Sequence, residues 1–228
     1  MISFSLLLSY IILDMNILTK KHKVHFSNKR FLLSLVSSLL FLTASVAATY
    51  FAILYAAKVA SNSVTDIILS NIPVFDVDGL FLYGPIIFWI FVGIYLVFKV
   101  PEKLPFTLKA VALFLFIRSI FISLTHIALF PTHIEVSTST SFLSILISSS
   151  DLFFSSHAGL PFLMALILWD SVFMRWFCIV GSVFFGAIVL MAHVHYSIDV
   201  FAAFFITYTI FHIAQKWFRT DLDFIKQK

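Results

Sequence analysis

Six apolar runs, at 31–57, 80–99, 108–130, 157–173, 176–195 and 197–216, leave this chain few ways to fold. A helix needs about 20 predominantly apolar residues to cross the hydrocarbon core of a bilayer. Backbone N–H and C=O groups find no water there, so such a run satisfies them internally as an α-helix. The expectation is an all-α polytopic membrane protein, a bundle of about six transmembrane helices. Composition agrees, with 61% of the 228 residues hydrophobic and 11% charged, against about 25% charged in soluble domains. The fourth run is the shortest and carries Pro161 close to its start, where proline is tolerated. Asp170 to Arg175 reads as a tight hairpin between the fourth and fifth runs.

Charge sets the orientation. Lys20, Lys21, Lys23, Lys29 and Arg30 precede the first run, and Lys99, Lys103 and Lys109 flank the link between the second and third. With six crossings, Arg175, Lys216, Arg219, Lys226 and Lys228 fall on that same side. The segments 61–79, 131–156 and 193–199 hold no Lys or Arg, but contain Asp66, Asp76, Asp78, Glu135 and Asp151. The positive-inside rule then puts both termini in the cytoplasm and these segments on the outer, periplasmic or exoplasmic, face of a cell membrane. This topology accounts for the net charge of +4, which does not indicate nucleic-acid binding. The division is 1–30, a cytoplasmic N-terminal segment; 31–217, a six-helix transmembrane catalytic domain; and 218–228, a cytoplasmic tail. Residues 1–14 are apolar but too short to span, and no positive charge precedes them as in a signal peptide. Two readings stay open for them: an interfacial segment, or an extension ahead of a true start at Met15. The single cysteine, Cys178, excludes an intrachain disulfide and a cysteine zinc site, and reads as a small buried hydrophobe. The Ser/Thr-rich 137–150 reads as an outer loop with an amphipathic face through Phe142, Leu143, Leu146 and Ile147.

A few ionisable groups at the mouths of these helices stand out against the apolar background. Asp151-Leu-Phe-Phe-Ser-Ser-His157 opens the fourth run, and His193-Val-His195-Tyr-Ser-Ile-Asp199 joins the fifth to the sixth. His195 and Asp199, four apart, share one helical face. The carboxylate can hold one imidazole nitrogen as N–H and leave the other as a free lone pair, the state a nucleophile needs. His157 follows Ser155 and Ser156 at a helix start, where unpaired N–H groups and the dipole favour phosphate. It is placed to protonate a leaving oxygen and then deprotonate an acceptor. Asp151 is placed to orient His157 or to cap its helix. Phosphoryl transfer needs mainly positioning and charge stabilisation, so no metal and no cofactor is required. An HxxxD pair alone fits a hydrogen-bonded interfacial pair equally well. The Ser-Ser-His on the same side shifts the balance to chemistry, because ionisable groups near spans are functional candidates.

These motifs resemble a known family. Ser149-Ser-Asp151-Leu-Phe-Phe-Ser-Ser-His157 resembles the Cys-Gly-Asp-x-x-x-Ser-Gly-His element of sphingomyelin synthases, and His195-Tyr-Ser-Ile-Asp199-Val resembles their His-Tyr-Thr-x-Asp-Val element. Both elements belong to the wider type-2 phosphatidic acid phosphatase superfamily. Arg118 through Leu129-Phe130-Pro131, and Asn71-Ile-Pro73-Val-Phe-Asp76, are weaker echoes of the family's third span and of its Pro-Leu-Pro-Asp element. Ser150 and Ser156 stand where the family has glycine, and Ser149 where it has cysteine. The Lys-x6-Arg-Pro element of the phosphatases is absent from the sequence, which favours the synthase-like branch. The resemblance implies His195 as nucleophile, Asp199 as its partner and His157 as acid and base. It also implies transfer of a phospho-headgroup from a glycerophospholipid to a lipid alcohol such as ceramide. The alternative on the same scaffold is hydrolysis of a lipid phosphate or phosphodiester.

Other residues are weighed for supporting roles. Arg118 is a phosphate or carboxylate ligand, or the partner of an acidic side chain. Glu135 reads as a contact for an amine headgroup or as a solvated loop acid. Tyr196, with Phe153 and Phe154, is a candidate wall for a choline group. His193, His126 and His133 read as structural, and Ser182 with Gly186 as a small-residue seam for close helix approach. Two other classes are kept in view. One is a zinc hydrolase with His157, His195 and Asp199 as ligands. The other is a transporter, whose site would lie near the midplane.

Overall fold

The structure, a computed structural model, describes residues 25–124, 126–133 and 152–226. Seven α-helices and no strand occur among these residues: α1 (Lys29–Val59), α2 (Asp78–Lys99), α3 (Leu104–Leu124), α4 (Ser156–Ile167), α5 (Val172–Met191), α6 (Ser197–Trp217) and α7 (Arg219–Lys226). A 3₁₀ turn, Pro101–Lys103, leads into α3. Five helices (α1, α2, α3 with its turn, α5 and α6) are long and apolar enough to cross a membrane, and α4 is a shorter apolar one. This all-helical architecture is consistent with a multi-pass membrane protein.

Three runs, the third, fourth and fifth, depart from their expected bounds. The third forms helix over 104–124 instead of 108–130. Residues 126–128 leave the helix to meet the loop after α1, where Ser61 N–H donates to the His126 carbonyl (2.7 Å) and Ala128 N–H to that of Asn62 (3.3 Å). The fourth run is helical for only 12 residues, 156–167 instead of 157–173. At 1.5 Å per residue that is about 18 Å, short of the ~30 Å hydrocarbon core. Its end is fixed by Lys103, whose Nζ donates to the Ile167 carbonyl and pairs with Asp170, each at 2.9 Å. Ser171 then caps α5 by accepting from Met174 N–H (3.4 Å), so the fifth helix starts at 172, earlier than 176.

The short helix is the centre of the packing. Ala158, Gly159, Leu163, Met164 and Ala165 of α4 are buried against α3, α5 and α6. A methyl group on Gly159 would lie 2.8 Å from the Phe114 ring and from Thr207 Oγ1, so only glycine allows this approach. On α5 the expected small-residue seam is in place: Ser182 Oγ donates to the Ala158 carbonyl (2.6 Å), and a Cβ on Gly186 would be 3.0 Å from Val200. α1 packs along α3, with Thr49 and Ser119 hydroxyls 3.0 Å apart at a buried crossing. α2 meets α5 through few contacts, chiefly Phe88 with Phe177 and Phe185. Between α2 and α5 lies an apolar groove of about 770 Å³.

At the end of the bundle far from His157 and His195, α7 folds back onto α1 and α3. Asp221 is buried there, paired with Lys109 Nζ at 2.8 Å and hydrogen-bonded to the Ser34 hydroxyl. Phe224 packs on Phe31 (5.4 Å). Residues 219–226 of the expected tail are thus a latch. Asp221→Ala leaves the Lys109 charge without this partner in a largely buried place, a loss of about 3 kcal/mol for breaking one side of such a pair. A fall of several degrees in the unfolding midpoint of the detergent-solubilised protein is expected. Asp221→Asn combined with Lys109→Met should recover most of it. An unchanged midpoint in Asp221→Ala would show that the latch contributes nothing.

Candidate active site

The site is built on two helix starts and one helix end. α5 stops at Met191 in a Schellman arrangement: Val194 N–H donates to the Val189 carbonyl (3.1 Å) and His193 N–H to that of Leu190 (3.0 Å). The left-handed position of that motif is His193, with φ of 56°, where glycine is usual. Its ring is fixed by Thr132, Nδ1 to Oγ1 at 2.6 Å. Burial pushes the His193 imidazole below its ordinary value, and Asp66 pulls it partly back. His193 is therefore a neutral capping residue near pH 7, in line with its structural reading.

The reversal made by His193 delivers His195 to the start of α6. His195 Nδ1 faces Asp199 Oδ2 at 3.3 Å, and both residues are buried. The same Asp199 oxygen accepts Tyr196 N–H at 3.1 Å, which satisfies one of the orphan donors of the helix start. An ionised carboxylate only accepts, so His195 presents Nδ1–H to it and keeps Nε2 as the basic lone pair. At 3.3 Å the contact is at the long end for an N–H···O hydrogen bond.

Asp199 also ties in the second motif. Its backbone carbonyl accepts Ser155 N–H at 3.0 Å, so the residue capping α4 is bonded directly to the partner of His195. Ser155 is fully buried, and its hydroxyl has no hydrogen-bond partner among the described residues. Ser156 and His157 are the first two residues of α4. Arg118, fourteen residues after Leu104 in α3, is buried at 1% exposure and donates from Nε to the Phe154 carbonyl at 3.0 Å. It lies at the peptide leading into Ser155, where a guanidinium adds positive charge. Direct contacts thus join His195 to Asp199, Asp199 to Ser155, and Arg118 to the peptide before Ser155, while Ser156 and His157 follow as the first residues of α4. Asp151 and Glu135 lie outside the described residues.

Tyr196 is close by but faces elsewhere. It is buried, and its hydroxyl donates to the Ala128 carbonyl (2.8 Å) and accepts Val64 N–H (3.2 Å). It pins the two loops at this end of the bundle and does not stand as an open aromatic wall. Phe153 and Phe154 are likewise engaged, Phe153 stacked on Phe121 (4.8 Å) and Phe154 edge-on to Phe114 (5.2 Å).

Several neighbours carry no signal in the sequence. His157 stacks on Phe81 of α2 at 4.7 Å. It opens into a cavity of about 80 Å³ lined by Pro85, Trp89, Ser156, Leu160, Pro161 and Phe185. His157 is half-buried, and the Phe81 ring it stacks on lies three residues into α2, close to the start of that helix. Phe185 lines both this cavity and the apolar groove between α2 and α5. Among the described residues, no three His, Cys, Asp or Glu side chains are arranged to hold a metal ion.

No curated protein and no solved structure matches the chain. Residues 148–216, the stretch from the approach to α4 to the last turn of α6, match the family model described as PAP2 superfamily C-terminal. This match, which contains His157, His195 and Asp199, supports the type-2 phosphatidic acid phosphatase superfamily and, with it, an enzyme of the lipid phosphatase or phosphotransferase kind.

Proposed function

We propose that this chain is an integral-membrane phosphotransferase of the sphingomyelin synthase type. It moves a phospho-headgroup from a glycerophospholipid to a lipid alcohol of the ceramide kind through a phosphohistidine on His195. The observation that carries this reading is the double engagement of Asp199, carboxylate to His195 and carbonyl to Ser155 N–H. It sets a nucleophile beside a helix start that can receive phosphate oxygens.

In the first half-reaction His195 Nε2 attacks phosphorus. The bond from phosphorus to the glycerol oxygen breaks, and His157 gives that oxygen its proton, releasing diacylglycerol. In the second, the acceptor hydroxyl attacks phosphorus, its proton passes to His157, and the P–N bond breaks. Asp199 stabilises the cationic imidazole of the intermediate. Ser155 Oγ, the first N–H groups of α4 and Arg118 balance the charge on the phosphoryl oxygens. The cluster lies on the outer side of the membrane in this reading, since Lys29, Arg30, Lys99, Lys103 and Lys109 gather at the other end.

Burial of His195 and Asp199 favours transfer over hydrolysis, because water reaches a covered site poorly. The groove that meets the His157 cavity at Phe185 supplies an apolar path for hydrocarbon chains. The test is purified protein in mixed micelles of phosphatidylcholine, phosphatidylethanolamine and phosphatidic acid with labelled ceramide and diacylglycerol, read by mass spectrometry. A headgroup-bearing ceramide that disappears in His195→Ala is expected. Free phosphate or phospho-headgroup without a new lipid would make the protein a hydrolase instead.

A further inference from the structure

We infer that Asp66, in the loop between α1 and α2, is a positioning residue for the His195–Asp199 pair, acting as an external cap on α6. The inference rests on the reading of His195 as nucleophile.

A helix start leaves its first N–H groups without intrahelical partners, and short polar side chains at the N-cap usually satisfy them. The N-cap of α6 is Tyr196, a poor residue for that task, and its hydroxyl is spent on Ala128 and Val64. Asp199 folds back to take Tyr196 N–H, but the next donor, Ser197 N–H, is beyond its use. Asp66, 131 positions away, supplies the acceptor: its Oδ2 lies 2.7 Å from Ser197 N. Ser197 is midway between His195 and Asp199, so the loop grips the backbone that sets their separation.

Asp66 is built for this. It is 7% exposed, and its other oxygen accepts Ile68 N–H (2.8 Å) and Leu69 N–H (3.0 Å), closing a turn that continues in Ser70 N–H to the Asp66 carbonyl (2.9 Å). Burial pushes its carboxyl up, but the N–H groups of Leu69, Ser197 and Ile68, with the Ser197 hydroxyl, outweigh this and hold it below the ordinary carboxylate value. The loop is itself anchored, through Ser61 to His126, Val64 to Tyr196 and Phe75 N–H to the Met191 carbonyl (2.9 Å).

The two-sided contact gives a sharp test. Asparagine has one accepting oxygen. If that oxygen keeps the loop turn, the amide NH₂ points at Ser197 N–H, donor against donor. Proline at 197 deletes that donor, and the Ser197 hydroxyl with it. It suits the first position of a helix, and Tyr196 already has the extended conformation (φ −71°, ψ 155°) required before proline. Its ring carbon takes the place of the hydrogen, so the Asp66 carboxylate must withdraw.

Asp66→Asn and Ser197→Pro are each expected to lower kcat for lipid headgroup transfer about tenfold, with KM within about twofold, as for a small misplacement of reacting groups. The double variant should be no slower than the slower single variant, since both act through one contact. A role in folding alone would lower the unfolding midpoint and leave kcat of the folded fraction intact. Normal kcat in both single variants, or losses that multiply in the double variant, would overturn the inference. If Asp66→Asn does not fold, Ser197→Pro carries the test alone, because it keeps the Asp66 carboxylate that closes the loop turn. His195→Ala is run alongside: activity surviving there sinks the nucleophile reading and this inference together. An inactive His195→Ala with normal Asp66→Asn and Ser197→Pro sinks only the role of Asp66.

Discussion

Alanine in place of His195 is expected to reduce turnover by about four orders of magnitude or more, the scale on which enzymes lose activity with their nucleophile. Among the described residues, His195 is the histidine whose Nδ1 faces a buried carboxylate, which leaves Nε2 for the attack. The effect belongs to kcat, because the covalent intermediate can no longer form, while lipid binding in the apolar groove is untouched. A donor labelled at phosphorus provides the direct readout. An alkaline quench during turnover should leave label on the peptide containing His195, acid-labile as a phosphoramidate is, and none on the alanine variant. His157→Gln should slow both half-reactions by about two to four orders of magnitude, since both need a proton moved, yet still accept label on His195. Label that persists in His195→Ala, or turnover above about one hundredth of normal, would remove His195 from the reaction. Turnover that stops on chelation would favour metal chemistry instead.

Much of this arrangement was legible in the sequence because hydropathy and short motifs act locally. Apolar runs locate helices, and the HxxxD spacing flags the His195–Asp199 pair, but not through a shared helical face: His195 precedes α6, and Asp199, the third residue of that helix, reaches back to it. The boundaries of α4 were not legible. Leu168 and Trp169 continue the apolar run acceptably, and what ends the helix is the Lys103 ammonium on the Ile167 carbonyl, a contact across 64 positions. The end of α3 is similar: residues 126–130 are apolar enough for helix, but pairing with residues 61–62 and Tyr196 wins. Asp66 was one acid among several in a loop, and its two-sided role exists only once α6 starts beside it. Tyr196 is the reverse case: beside a candidate nucleophile an aromatic invites a binding role, while its hydroxyl is engaged with Ala128 and Val64, contacts that no local pattern announces.

Asp199 is where loss of geometry and loss of charge can be separated. Its Oδ2 accepts from both Tyr196 N–H and His195 Nδ1. Alanine removes both acceptors, leaving a buried N–H orphaned at the start of α6 and the imidazole free to turn or change tautomer. A fall in kcat of about three to four orders of magnitude is expected, the size seen when the orienting carboxylate of a nucleophile–base pair is lost. The missing cap should also cost about 1 kcal/mol of stability. Asparagine behaves differently here. Tyr196 N–H can bond only to the amide carbonyl, which fixes the amide orientation and presents that same oxygen to His195 Nδ1–H. The reactive tautomer survives, and only the negative charge beside the cationic intermediate is lost. Asp199→Asn should therefore retain at least about tenfold more activity than Asp199→Ala, with an unfolding midpoint close to that of the parent. Equal loss in both variants would mean that the charge, not the orientation, governs the rate. Near-normal activity in Asp199→Ala would separate Asp199 from the chemistry and leave it as a helix cap.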